Sequence, residues 1–123
     1  MITVGGGLAC PVFSAPADTN LTTVYTQSLG QEGSLALLQS INIAAIAGAD
    51  ATVIINDGST DYTILSAKTL AADAREYIEW QDGFPLKVGH SIKVKTSVND
   101  ALVFSIVVSE MMQMSELPHG ISF

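Results

Sequence analysis

Residues 101–110, Ala-Leu-Val-Phe-Ser-Ile-Val-Val-Ser-Glu, alternate their side chains at a period of two. Leu102, Phe104, Ile106 and Val108 fall on one side, and Val103, Ser105, Val107 and Ser109 on the other. Successive strand residues point to opposite faces, so the run predicts a strand, the longest of the chain, with one strongly apolar side. Its second side carries two valines, more than a wet face needs. Such a strand is expected to be covered on both sides, by a central place in a sheet or by a partner.

Shorter runs of the same kind precede it. Leu21–Thr26 is rich in Thr, Val and Tyr, which suit a pleated backbone. Residues 34–43 place Leu35, Leu37, Ile41 and Ile43 on one side, with Gln39 as the exception. Residues 51–56 are β-branched and close on Asn56-Asp57-Gly58, a hairpin signal, with Tyr62–Ser66 as the antiparallel partner. Residues 77–80 make a short strand ended by a turn at Asp82-Gly83. In residues 91–96, Ile92 and Val94 point one way and Lys93 and Lys95 the other. Lys68–Arg75, with three alanines, is the one helix-friendly stretch; it is too short to stand alone and reads as a loop or single turn.

Short strands separated by turn residues predict an all-β fold: an antiparallel β-sandwich, jelly-roll or immunoglobulin-like, over residues 21–110. Residues 1–20 read as an irregular N-terminal arm, with Gly5, Gly6, Gly7, Pro11 and Pro16 breaking regular structure around Leu8, Val12 and Phe13. Residues 111–123 read as a C-terminal tail holding Met111, Met112, Met114, Ile121 and Phe123. Both ends are apolar and irregular, as segments that reach a neighbour would be.

Composition sharpens this. Of 123 residues, 48% are hydrophobic and only 14% charged, against roughly 25% charged in ordinary soluble domains. An under-charged surface points to burial against partners. Twelve acidic and five basic residues give a net charge of −7, which argues against binding a phosphate backbone; no nucleic-acid partner is expected. Met1–Gly7 lacks the basic start and apolar run of a signal peptide, and no stretch approaches the roughly 20 apolar residues that span a bilayer, so no membrane role is expected.

Chemistry-bearing patterns are weak. His90 and His119 lie near no ligand-spaced partners, so no metal or cofactor is expected. Asp57 and Asp61 around Gly58 read as turn formers, since a calcium loop needs a distal bidentate Glu. Glu76 and Glu79, three apart on a strand, face opposite sides and do not converge. Cys10 reads as a small packing residue without a nearby base, and no serine sits in a nucleophile elbow. No enzyme reading survives. Tyr77 and Trp80 leave one alternative, a sugar-stacking platform, against the commoner fate of a core tryptophan.

Residues 23–110 resemble a recurrent virion module of tailed bacteriophages. The matching features are Val24-Tyr25-Thr26, Leu38-Gln39-Ser40-Ile41-Asn42-Ile43-Ala44, and Ala51-Thr52-Val53 followed by Asn56-Asp57-Gly58-Ser59 and Tyr62. Gly83 to Val94 resembles the module's turn and strand of spaced glycine, leucine, glycine-aspartate, isoleucine and valine, with His90 standing where aspartate is common. Ser105–Glu110 resembles its closing strand. The resemblance implies a small β-sandwich used in capsid decoration, neck or tail structures, located in the virion after assembly in the host cytoplasm. The expected partners are copies of the chain, as a trimer or other cyclic oligomer, and virion proteins such as the major capsid protein. The residues expected at such contacts are Leu8, Val12, Phe13, Val103, Val107, Met111, Met112, Met114, Ile121 and Phe123.

Overall fold

The computed structural model describes residues 8–29 and 34–111. Eight strands follow one another: β1 (Leu8–Ser14), β2 (Thr22–Thr26), β3 (Leu35–Ala45), β4 (Ala49–Asn56), β5 (Asp61–Leu70), β6 (Arg75–Leu86), β7 (Ser91–Thr96) and β8 (Leu102–Met111). No helix occurs among the described residues.

The pairing is nested. The hairpin β4–β5 lies innermost, then β3 pairs with β6, β2 with β7, and β1 with β8, all antiparallel. Folding that ribbon over on itself adds the pairs β3–β8 and β4–β7, which gives two four-stranded sheets, β1-β8-β3-β6 and β2-β7-β4-β5. This is the eight-stranded jelly roll. The expected antiparallel sandwich is therefore present, in the first of its two anticipated forms.

Between the sheets lies one core. Leu38, Ile41, Ile43, Phe104, Ile106 and Val108 come from one sheet, and Val53, Ile55, Ile92 and Val94 from the other, all essentially without solvent contact. In β7 and β8 the alternation read from sequence holds residue by residue, with Ile92, Val94, Leu102, Phe104, Ile106 and Val108 inside.

Elsewhere, bulges overturn the simple pattern. In β3, Leu38 and Ser40 face the consecutive β8 residues Val108 and Val107, so Gln39 is an inserted residue. One insertion reverses the parity of a strand. Ala36 and Leu38 are buried before it and Ile41 and Ile43 after it, so Leu35 and Leu37 turn to the outer face instead of joining Ile41 and Ile43.

A larger bulge explains β6. Its residues Glu79 and Phe84 pair with Ser40 and Leu38, leaving Trp80 to Gly83 opposite Gln39 alone. The expected turn at Asp82-Gly83 is thus a kink inside one strand of 12 residues, which makes β6, not the 10-residue β8, the longest. Lys68–Leu70 also belongs to a strand, and the chain reverses only at residues 71–74. Leu70, 5% exposed and opposite Ala49, gains more from the core than its alanine-rich surroundings gain from helix.

The N-terminal segment holds a further correction. Residues 8–14, expected within an irregular arm, pair with β8 along their whole length. Pro11 is tolerated because β1 is an edge strand with β8 as its sole neighbour in the sheet. What this stretch lies on is its own sandwich. Residues 112–123 of the expected tail lie outside the described residues.

Candidate interaction face

The two outer faces differ in chemistry. On β2-β7-β4-β5, Lys93, Lys95, Asp50, Thr52 and Asn56 face out, and Lys93 Nζ lies 3.2 Å from Asp61 Oδ1. On β1-β8-β3-β6, the outward residues of β1 (Ala9, Pro11, Phe13), β8 (Val103, Ser105, Val107, Ser109) and β3 (Leu35, Leu37, Ser40, Asn42) include no charged side chain. Charge returns on this side only at β6, with Arg75 and Glu79. Phe13 is 72% exposed, an aromatic ring standing in solvent beside a valine-bearing central strand. This contiguous uncharged face, with Phe13, Val103, Val107, Leu35 and Leu37 among its residues, is the candidate contact surface.

Of the residues expected at contacts, Phe13, Val103, Val107 and Met111 share this face. Val12 does not. It pairs with Ile106 and packs against the core, because neighbours along a strand face opposite ways. Leu8 opens β1 opposite Glu110. Met112, Met114, Ile121 and Phe123 lie outside the described residues.

Where the β1 and β2 edges meet, Glu110 joins three strands. Tyr25 Oη donates to Glu110 Oε2 at 2.7 Å, and Cys10 Sγ donates to Glu110 Oε1 at 3.1 Å. This contact ties β8 and β1 to β2 of the other sheet. Nothing local in the sequence announces it, since the partners are 85 and 100 residues apart. Burial, then the hydrogen bond to Glu110, pushes the Tyr25 phenol well above its ordinary value of 10.0. The same carboxylate raises the Cys10 thiol above 9.0, so the thiol stays protonated at neutral pH and acts as a donor rather than a nucleophile.

At the β4–β5 turn, Asp57 Oδ1 accepts from the backbone N–H of Thr60 at 2.7 Å and of Ser59 at 3.0 Å, which lowers its carboxyl below 3.8. Asp61 is lowered by Asn56 and then Lys93. These groups define a pH prediction. The carboxylates stabilise the fold above 3.8, a contribution lost as pH falls through their depressed values; the Tyr25 contribution is complete below 10.0 and lost as pH rises beyond it. Thermal melts from about pH 3 to about pH 11 are expected to show a plateau with both limbs falling, and Tyr25→Phe is expected to flatten the alkaline limb.

The remaining candidates are held in structural roles. His90 Nδ1 accepts from the Lys87 N–H at 3.1 Å within its turn. Gln27, fully buried, bridges the same end of the sandwich: its N–H donates to His90 O at 2.8 Å, and its Oε1 accepts from Leu29 N–H at 2.7 Å. Gln27→Leu is expected to cost about 2 kcal/mol by leaving the Leu29 amide unpaired, readable by urea denaturation. Tyr77 is 57% exposed on the outer face and donates to Glu79, whereas Trp80 packs toward the core, edge-on to Phe84 at 6.1 Å. The two rings do not share a stacking platform. Glu76 and Glu79 stand on opposite sides, Glu76 lying 3.8 Å from Lys68. Among the described residues, no three of His, Cys, Asp and Glu gather as a metal site would require.

No known protein-family profile matches the chain, and no curated protein matches it. Among solved structures, the extra small virus virus-like particle of the giant freshwater prawn Macrobrachium rosenbergii is similar at 16% identity and a TM-score of 0.44, covering 94% of this chain and 85% of that one. The nucleoplasmin-like N-terminal domain of Drosophila FKBP39 is similar at 14% identity and a TM-score of 0.44, covering 94% of this chain and 100% of that one. Likenesses this distant carry no argument about function. The reading rests on the chain's own residues.

Proposed function

We propose that this chain is a non-enzymatic structural subunit of a virion, a capsid decoration or cement protein of the tailed-bacteriophage type. It associates with copies of itself, as a trimer or other ring, and grips the major capsid protein. One observation carries the reading: three adjacent strands, β1, β8 and β3, present an outer face with no charge, on a chain with only 14% charged residues. The motif resemblance over residues 23–110 supports the same assignment. Jelly rolls also serve lectins and cupins, so the strand order alone does not select a function.

Light scattering on the purified protein and on Val107→Lys tests the assembly. The unaltered chain is expected to form a defined oligomer. A lysine at the centre of the face would bury an unpaired charge and weaken association by about 100-fold. Equal masses for the two proteins would remove this face from the contact. A monomer that also failed to bind isolated heads would overturn the proposal, and binding to isolated tails instead of heads would move the subunit to the neck or tail.

A further inference from the structure

We infer that two copies of the chain close face to face through β1-β8-β3-β6, about a twofold axis that runs across the strands along the row from Phe13 to Tyr77. The inference rests on the assembly reading above and deepens it: the ring is a pair, and Arg75 and Glu79 set its register.

The pairing of the sheet supplies the geometry. Phe13, Ser105, Asn42 and Tyr77 stand side by side in one row across β1, β8, β3 and β6. The next row on one side holds Val103, Ala44 and Arg75, and the next on the other holds Pro11, Val107, Ser40 and Glu79. Arg75 and Glu79 therefore flank Tyr77 evenly on one strand, about 13 Å apart at roughly 3.3 Å per residue. The ion pairs among the described residues join Lys68 to Glu76 and Lys93 to Asp61, so neither Arg75 nor Glu79 belongs to an ion pair within its own copy.

Charge decides which surface of a second copy fits, and about which axis. Laid on the other copy's β2-β7-β4-β5, the face would strip water from Lys95 and Asp50 and offer no charge in return. An axis parallel to the strands would set β6 over β1, leaving Arg75 and Glu79 against uncharged side chains. An axis across the strands lays the three uncharged strands on the same three strands, and β6 on β6. The row of Arg75 then meets the row of Glu79, so two Arg–Glu pairs form, one on each side of the Tyr77 row. Such pairs fix register even where they add little affinity.

The remaining contacts suit the same axis. Phe13, 72% exposed, meets its own copy across the axis, as does Tyr77. Asn42 and Ser105 also meet themselves, and each can both donate and accept a hydrogen bond. Val103 meets Val107 twice. On β3 the overlap runs from Leu37 to the exposed Ile46, about 30 Å, and four strands make it about 19 Å wide. Each copy then covers roughly 600 Å², about 1,200 Å² in all, the size at which stable specific interfaces begin.

Exchange of charge on the full chain tests this. A dilution series followed by light scattering compares the unaltered chain, Arg75→Glu, Glu79→Arg and the variant carrying both changes. Both side chains stand in solvent, so the substitutions leave the core untouched. The unaltered chain is expected to show the mass of two copies. Each single change sets like charges together twice per pair and is expected to weaken association roughly 30-fold. The double variant is expected to return to within about threefold of the unaltered chain, since each exchanged charge again meets its opposite. A double variant no better than the single ones, or equal association of all four proteins, overturns the inference. So does a mass of three or more copies for the unaltered chain, a result that needs no variant to fold. If Val107→Lys still disrupts that larger oligomer, the assembly reading stands. A full chain that is monomeric at every concentration overturns both.

Discussion

Phe104→Ala is expected to lower folding stability by about 4 kcal/mol, the usual cost of emptying a buried phenylalanine site. Phe104 is without solvent contact and sits on β8 between Ser14 of β1 and Ile43 of β3. Strands on both sides hold its surroundings in place, so the cavity collapses little. Urea denaturation at fixed protein concentration measures it, because association adds to apparent stability. The neighbouring change Val103→Ala, on the outer face, is expected to cost less than about 1 kcal/mol in the monomer. Equal costs at the two positions would contradict the assignment of inner and outer sides to β8.

Gly83→Ala is expected to cost about 3 kcal/mol, although it adds a single methyl group at a partly exposed position. Two effects combine. Gly83 has φ of 80°, a conformation that side chains with a Cβ rarely adopt. A Cβ built there meets Leu37 Cβ at 2.8 Å and Gln39 Nε2 at 3.3 Å, so the backbone must move. The move would unseat the β6 bulge from β3 and disturb Leu37 on the outer face. A drop in Tm on the order of 10 °C is the readout. Gly89→Ala is a useful contrast, since its φ is 88° but a Cβ there meets nothing within 4 Å. It isolates the conformational part of the penalty.

How much of this was legible follows from where the chain obeys a period of two. β7 and β8 do, and their faces are readable from Ile92, Val94, Lys93 and Lys95, and from the valine pair at 103 and 107. β3 and β6 do not, because Gln39 and the stretch from Trp80 to Gly83 are insertions that only the facing strands reveal. A residue-by-residue count gives Leu35 and Leu37 the wrong side for that reason. β1 was hidden by Pro11, which reads as a breaker until its edge position is known. The outer face was half visible: Phe13, Val103, Val107 and Met111 share it, while Val12 turns to the core because the direction of β1 depends on pairing with β8. The Glu110 contact with Tyr25 and Cys10 bridges separations that no local pattern records.

The nested pairing also fixes a schedule for synthesis. The last strand among the described residues, 102–111, is inserted between β1 and β3. Until the ribosome has passed residue 111, β1 has no neighbour, β3 has an open edge, and Val103 and Val107 are missing from the surface they later centre. A nascent chain therefore lacks the assembled outer face of this sheet, even when several ribosomes on one message hold many copies close together. At about 5–20 residues per second, the wait from the completed β4–β5 hairpin to the last strand is several seconds. On the proposed assembly reading, association through this face waits until each copy has completed β8.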